Sequence, residues 1–395
     1  MYKVLVTTNR GFEDITKEEI KEILGVDAKE RPFGILGRVI FEIKDPLKVA
    51  EFTYVTKTSN RVILMLKHFK TKRTKEGLDI IYKEAKDIDW SEWLDQNQSF
   101  AVRTERMGVH EYTSMDVNAV VGQAIIDSIK ESKGYRQKVD LEAPDVIIRV
   151  DVIGDDVFIG IDFVGPDSLL KRGYKVFNHP AGLKTTIANQ MVRLSKWNKD
   201  KVLLDPMCGS GTIPIEAALN VTNTPGAYWR KDNLYFTKLK IFEGIDWDEW
   251  FEKIDERRNL DVEVKGIYGF DKNLRYVRGA EMNSIRAGVR KLIKWARVDL
   301  EWLDVKMQEK SVDVIVTNPP YGVKSAPVEE AEKAHKLLFY QADWVLNDDG
   351  IVVLISARPD FVERWAKYYK FEKVHERTVY HGTLECKVYI WKKSG

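Results

Sequence analysis

Asn318-Pro319-Pro320-Tyr321 directly follows the apolar run Val312-Asp313-Val314-Ile315-Val316-Thr317. Residues of these types at the end of a strand can handle an aromatic amine. Consecutive prolines fix φ and supply no N–H, so the loop is stiff and its carbonyls stay available. The side-chain oxygen of Asn318 and the carbonyl of Pro319 can then each accept one hydrogen of an amino group. The lone pair of such an amine is conjugated into its ring and is a poor nucleophile. Holding both hydrogens favours a pyramidal nitrogen and aims its lone pair for in-line attack. Tyr321 is placed to stack on a base turned out of its helix, as chemistry on bases requires. A plain Pro-Pro turn is the competing reading, and the apolar strand ahead of the motif argues against it.

Upstream, the short apolar strand Lys201-Val202-Leu203-Leu204-Asp205 runs into Pro206-Met207-Cys208-Gly209-Ser210-Gly211-Thr212 and a helix over Ile213 to Leu219. The glycines permit a tight turn whose backbone N–H groups can approach a ligand. Asp205 sharpens that reading, because ligands of open α/β sheets bind outside the carboxyl ends of the strands. Gly266 to Asp271 is a second strand ending in an acid, with Lys272 next and a helix opening at Asn273; Asp271 can accept both hydroxyls of a ribose. Val298-Asp299-Leu300 places a third acid where a further strand ends, and Asp299 can accept an adenine amino group. About sixty residues separate Gly211 from Asp271, so an insertion is required. Its aromatics (Tyr228, Trp229, Tyr235, Phe236, Trp247, Trp250, Phe251, around residues 222–262) point to a small packed subdomain rather than a stacking platform.

These markers need elements to hold them. The spacing predicts an α+β, ferredoxin-like domain over 1–60, in which Thr16 and Glu19 form a capping box before Ile20. A second α+β domain covers 61–165, with a strand at Ser99 to Arg103, a helix from Ser114 and a hairpin across Gly154-Asp155-Asp156. A linker follows over 166–182, and then an α/β domain over 183–395. In its last part a helix over Pro327 to Leu346, a strand over Gly350 to Ser356, a helix over Phe361 to Tyr369 and a hairpin around His381-Gly382 close the sheet.

At 395 residues the chain exceeds one ordinary core. Its hydrophobic runs stop well short of the ~20 residues a membrane span needs, so a cytoplasmic protein is expected. Cys208 and Cys386 stand apart from any metal-ligand spacing, and no protein-bound metal is expected. The net charge of +2 says little, but its distribution says more. Arg61 to Lys75 carries Arg61, Lys67, Lys70, Lys72, Arg73 and Lys75 and no acid, and Lys171, Arg172 and Lys175 form a second basic run. Solvated loops are the plain alternative; a nucleic-acid substrate makes phosphate-binding faces preferable.

Phe100-Ala101-Val102-Arg103, Arg106-x-Gly108-x-His110, Thr113-Ser114 and Val121-Gly122 resemble the THUMP domain of RNA-modifying enzymes. The element order downstream resembles the class I S-adenosylmethionine methyltransferases, whose Rossmann-like seven-stranded sheet ends in a reversed strand. Asp205 to Thr212 together with Thr317 to Gly322 is most similar to the guanine-N2 methyltransferases that carry a THUMP domain. By length and architecture the likeness is to the archaeal and bacterial enzymes that act on guanosine 6 of tRNA. The resemblance implies S-adenosylmethionine as cofactor and tRNA as partner, for a chain acting as a monomer. It implies that Asp205, Gly209, Ser210, Gly211 and Thr212, with Leu183, Lys184 and Thr185, hold the methionine end. Asp271 and Lys272 then take the ribose, Asp299 and Leu300 the adenine, and Asn318, Pro319 and Tyr321 the base. Lys67, Lys70, Lys72, Arg73, Arg103, Arg106, His110, Lys171 and Arg172 become candidates for RNA contact. Guanine-N2 methylation of 23S ribosomal RNA or of another tRNA guanine, DNA amino-methylation and a cofactor-dead RNA-binding module stay open, with the THUMP-like half disfavouring DNA.

Overall fold

In the computed structural model, which describes residues 1–322 and 327–393, the apolar runs form two sheets. The first contains β1 (Tyr2–Thr8), β2 (Ala28–Glu30), β3 (Arg38–Ile43), β4 (Ser59–Lys70), β5 (Ser99–Met107), β6 (Lys138–Val139), β7 (Val146–Ile153) and β8 (Asp156–Asp162), in the order β2-β3-β1-β4-β8-β7-β5-β6. The expected boundary between residues 60 and 61 falls inside β4. That strand is 12 residues long and pairs antiparallel with β1 on one side and β8 on the other, so both expected domains share one sheet. The helix Ser114–Lys133 begins under a reciprocal cap: Asp116 N donates to the Thr113 hydroxyl at 3.2 Å, and Thr113 N donates to the Asp116 carboxylate at 2.7 Å.

The second sheet contains β9 (Val202–Asp205), β10 (Gly266–Asp271), β11 (Ile293–Arg297), β12 (Val312–Thr317), β13 (Leu346–Ser356), β14 (Phe371–His381) and β15 (Leu384–Lys393), in the order β11-β10-β9-β12-β13-β15-β14. Strands β9 to β13 are parallel, and β15 runs antiparallel to β13 and β14. Side-chain alternation sends Leu203 and Val314 to one buried face, with Ile187, Ile213 and Val353. Leu204 and Ile315 go to the other, with Phe270, Leu338 and Phe339. Burial on both faces explains why these strands read as unbroken apolar runs.

By packing, the chain divides into one unit of Met1–Thr8, Lys17–Leu169 and Arg230–Ile254 and another of Asn9–Thr16, Leu170–Trp229 and Asp255–Gly395. Three expectations change. Thr16 is not a helix cap, because the helix runs over Glu13–Leu24; the buried Glu19 carboxylate instead accepts from the Thr56 hydroxyl (2.6 Å), Lys57 N (2.9 Å) and Thr58 N (3.0 Å). The aromatic insertion is not a self-standing subdomain. Too short to enclose a core, its Arg230–Ile254 part packs within the first unit, with Phe236 N on Phe163 O at 3.1 Å and the Phe251 ring 4.8 Å from that of Tyr54. Nor is 166–182 a solvated linker, since Leu169, Arg172 and Tyr174 are buried.

Arg172 explains why that last segment packs. Its guanidinium donates to Glu216 through Nε at 3.2 Å and a terminal nitrogen at 3.1 Å, and the same carboxylate accepts from the Tyr174 hydroxyl (3.1 Å) and Asn189 Nδ2 (3.0 Å). Glu216 lies in the helix Thr212–Val221 that follows the glycine-rich turn. Truncating one partner strands a buried charge, so Glu216→Ala should cost about 3–5 kcal/mol in urea unfolding. The paired change Arg172→Met with Glu216→Leu should recover part of the loss, since it removes both charges but leaves the Tyr174 hydroxyl and Asn189 without the carboxylate.

Candidate active site

A cavity of about 830 Å3 opens at the carboxyl ends of β9, β10 and β12, where the strand order of the second sheet reverses. Asp205, the last residue of β9, is buried there. Its Oδ1 accepts from the Thr317 hydroxyl at 2.8 Å and from Met207 N at 3.2 Å. Burial outweighs these bonds and pushes its carboxyl up to about 7.

The turn after β9 needs its glycines. Gly209 has φ +52 and Gly211 φ +77, and a Cβ on Gly211 would lie 2.6 Å from the Trp295 ring and 2.8 Å from the Ala280 Cβ. The turn is tied to the neighbouring strand: Cys208 N donates to Phe270 O at 2.8 Å, and Gly209 N to Asp271 Oδ2 at 3.0 Å. The other Asp271 oxygen accepts from Asn273 N at 2.9 Å, and burial raises this carboxyl too. Asp299 lies two residues beyond β11 and accepts from Glu301 N at 3.2 Å; it lines the cavity with Leu300.

Asn318, Pro319, Pro320 and Tyr321 form the opposite wall. The Tyr321 hydroxyl donates to Asn318 Oδ1, and the ring packs partly against the core. Burial holds the phenol well above its usual range, and the neighbouring Cys386 thiol is pushed up to about 11 by burial. Tyr321 therefore braces Asn318 as well as lining the space beside it.

Leu183, Ser210, Thr212 and Lys272 also line the cavity, whereas Lys184, Thr185 and Gly211 do not. Thr185 is buried and its hydroxyl donates to Leu170 O at 2.6 Å, so the expected grouping of three reduces to Leu183. Lys272 is ion-paired with Glu330.

The RNA candidates fare unevenly. Arg172 is corrected outright, since Glu216 holds it fully buried. The basic run is acid-free only in sequence: Lys67 pairs with Glu84 (2.9 Å) and Asp87 (2.7 Å), Lys70 with Asp156 (2.7 Å), Lys72 with Glu76 (2.6 Å) and Arg73 with Asp155 (2.7 Å). Arg106 donates to His110 Nδ1 at 3.0 Å, and His110 Nε2 donates to Gly154 O at 2.7 Å. Arg103 donates to Leu141 O, and Lys171 is exposed.

Sequence reasoning missed Asn283. This fully buried amide donates to Ser210 O (3.0 Å) and Phe177 O (2.9 Å) and accepts from Val176 N and Phe177 N (both 2.9 Å), fastening the glycine turn to the segment before it. A polar residue on the buried side of a helix was the one available sign. His179 and Tyr276 also line the cavity, their rings edge to face at 4.3 Å, and burial lowers the His179 pKa.

Residues 172–387 match the RMKL-like methyltransferase domain, and residues 75–162 match the THUMP domain. The chain is 38% identical to a tRNA (guanine(6)-N2)-methyltransferase of Methanocaldococcus jannaschii, covering 97% of this chain and 98% of the relative. It is 35% identical to a protein of the same description from Archaeoglobus fulgidus, covering 98% and 91%. Among solved structures, SMU.472 complexed with SAH superposes with a TM-score of 0.83 at 20% identity, covering 100% of this chain and 98% of that one. TrmN from Thermus thermophilus superposes with a TM-score of 0.73 at 24% identity, covering 100% of both chains.

The raised Asp205 carboxyl carries a pH signature. Below its ordinary 3.8 the group is protonated folded or unfolded; between 3.8 and about 7 only the unfolded chain ionises, so its contribution to stability falls as pH rises. Asp205→Asn removes that titration. The melting-temperature gain of the variant over the parent, read by calorimetry, should grow from pH 4 to pH 7; a gain independent of pH would contradict the burial assigned to Asp205.

Proposed function

The chain belongs to the RMKL-like methyltransferases and carries a THUMP domain, and from that premise we propose that it methylates N2 of guanosine 6 in tRNA. The observation that carries this reading is the Asn318-Pro319-Pro320-Tyr321 wall facing the Asp205 turn across one cavity. The names of the relatives that match over nearly their full length support the address on the RNA.

The residues present fit S-adenosylmethionine. A turn held open at Gly209 and buried carboxylates ending two neighbouring strands suit a ligand that joins an amino acid to a nucleoside. Asp205, Gly209, Ser210 and Thr212, with Leu183, would hold the methionine end; Asp271 and Lys272 the ribose; Asp299 and Leu300 the adenine. When bound, this cofactor supplies a methyl group activated by a sulfonium.

The chain's own contribution is alignment. The Tyr321 hydroxyl occupies one lone pair of Asn318 Oδ1 and so fixes which side of the amide faces the cavity. The remaining lone pair and the Pro319 carbonyl would accept the two hydrogens of the guanine amine, and the Tyr321 ring offers it a stacking face. An amine that has gained an alkyl group loses its proton to water readily, so no dedicated general base is required. We take a single chain to carry out the reaction as a monomer. No helix among the described residues is long and apolar enough to cross a membrane, and we place the reaction in the cytoplasm with the tRNA pool.

The test is incubation with labelled S-adenosylmethionine and unmodified tRNA, or 23S ribosomal RNA in competition, followed by digestion and mass spectrometry. N2-methylguanosine in the tRNA acceptor stem is the expected product, and its absence would sink the proposal. Asn318→Ala should lose turnover far more than cofactor affinity.

A further inference from the structure

Beside the cavity lies a shallow hollow of about 370 Å3, lined by Phe177, Leu274, Arg275, Arg278, Gly279 and Met282. Its floor is built rather than incidental. Asn283 hydrogen-bonds both the N–H and the carbonyl of Phe177, so the ring's position is fixed from a fully buried residue. The ring lies flat against the helix Leu274–Arg286, and only glycine permits the approach: a Cβ on Gly279 would stand 2.2 Å from it. Met282 and Leu274 are 54% and 42% exposed around the ring, an apolar surface left open beside two exposed arginines of the same helix.

The charges distinguish this hollow from the rest of the rim. Lys272 and Lys333 are ion-paired with Glu330 and Glu301. Arg275 and Arg278 are exposed, one helical turn apart on the same face, and have no carboxylate partner among the described residues. Between hollow and cavity the rings are continuous: Phe177 lies 6.3 Å from Tyr276, which lies 4.3 Å from His179, and the last two line the cavity.

Resting on the RNA-methylation reading above, we propose that this hollow holds the nucleotide adjoining the target guanosine. The base or sugar lies on Phe177 and Met282, and the phosphate sits between Arg275 and Arg278. An apolar platform flanked by unpaired guanidiniums is the arrangement that takes a stacked nucleotide and its backbone charge. A strand that inserts one base into the cavity must lay a neighbour across its edge.

The experiment compares the parent with Arg275→Glu/Arg278→Glu and, as a control of equal charge change, Arg286→Glu/Lys291→Glu, two exposed cations outside the hollow. Phe177→Leu tests the platform separately. For the first double variant the tRNA KM should rise at least about tenfold, with kcat changed much less, and the salt slope of tRNA binding should fall by about two. Phe177→Leu should raise KM without altering the salt slope. Affinity for S-adenosylmethionine, measured by calorimetry, should not change in any of them. Unchanged KM and slope in Arg275→Glu/Arg278→Glu, or an equal effect of the control pair, would overturn the proposal. If tRNA were not the methylated substrate, the parent alone would fail product mapping, whereas the subsite would still be judged by the salt-dependent binding of single-stranded oligoribonucleotide to the same variants.

Discussion

One buried hydrogen bond holds the two walls of the cavity in register: the Thr317 hydroxyl on Asp205 Oδ1, at 2.8 Å. Strands β9 and β12 are parallel neighbours in the sheet, with Leu203 beside Val314 and Leu204 beside Ile315, and the chain leaves them into two different loops. From Asp205 it enters the glycine turn, and from Thr317 it enters Asn318-Pro319-Pro320-Tyr321. A ligand between the two loops meets atoms whose separation is set at the bottom by this contact and at the sides by rigid backbone. Methyl transfer asks for little else, because its barrier is lowered chiefly by alignment.

The supports radiate outward from that bond. Asp271 holds Gly209 from the next strand, Asn283 holds Ser210 from the helix after it, and Glu216 anchors the helix that leaves the turn to Arg172. On the other wall, Tyr321 braces Asn318. Each contact uses a polar group buried at a definite cost, so each is sensitive to truncation in a way that an apolar contact is not. The same burial lifts the Asp205 carboxyl to about 7, which couples the site to pH near neutrality.

What was legible in the sequence is what is local. A run of apolar residues ending in Asp205, Asp271 or Thr317-Asn318 carries its own strand, its own end and its own chemistry, and the structure brings these ends together. What was not legible depends on partners far along the chain. Arg172 reads as a surface cation until Glu216, 44 residues on, is seen beside it. The basic run from Arg61 to Lys75 reads as a free patch until Asp155 and Asp156 arrive from the β7–β8 turn. The capping box at Thr16 fits the local rule, yet Glu19 finds better donors at residues 56–58, a choice that only tertiary structure can make. The aromatic insertion announces a packed cluster but not the Tyr54 and Phe163 against which it packs.

The chemistry assigned to Asn318 and Pro319 turns on a single atom of the substrate. Inosine differs from guanosine only in lacking the 2-amino group, so tRNA carrying inosine at the target position retains every other contact. The decisive measurement is methyl transfer to that tRNA alongside its binding. Binding retained through the rest of the tRNA, with no methyl incorporation, is the expected result; methyl incorporation into the inosine would contradict the assignment of N2 as the acceptor.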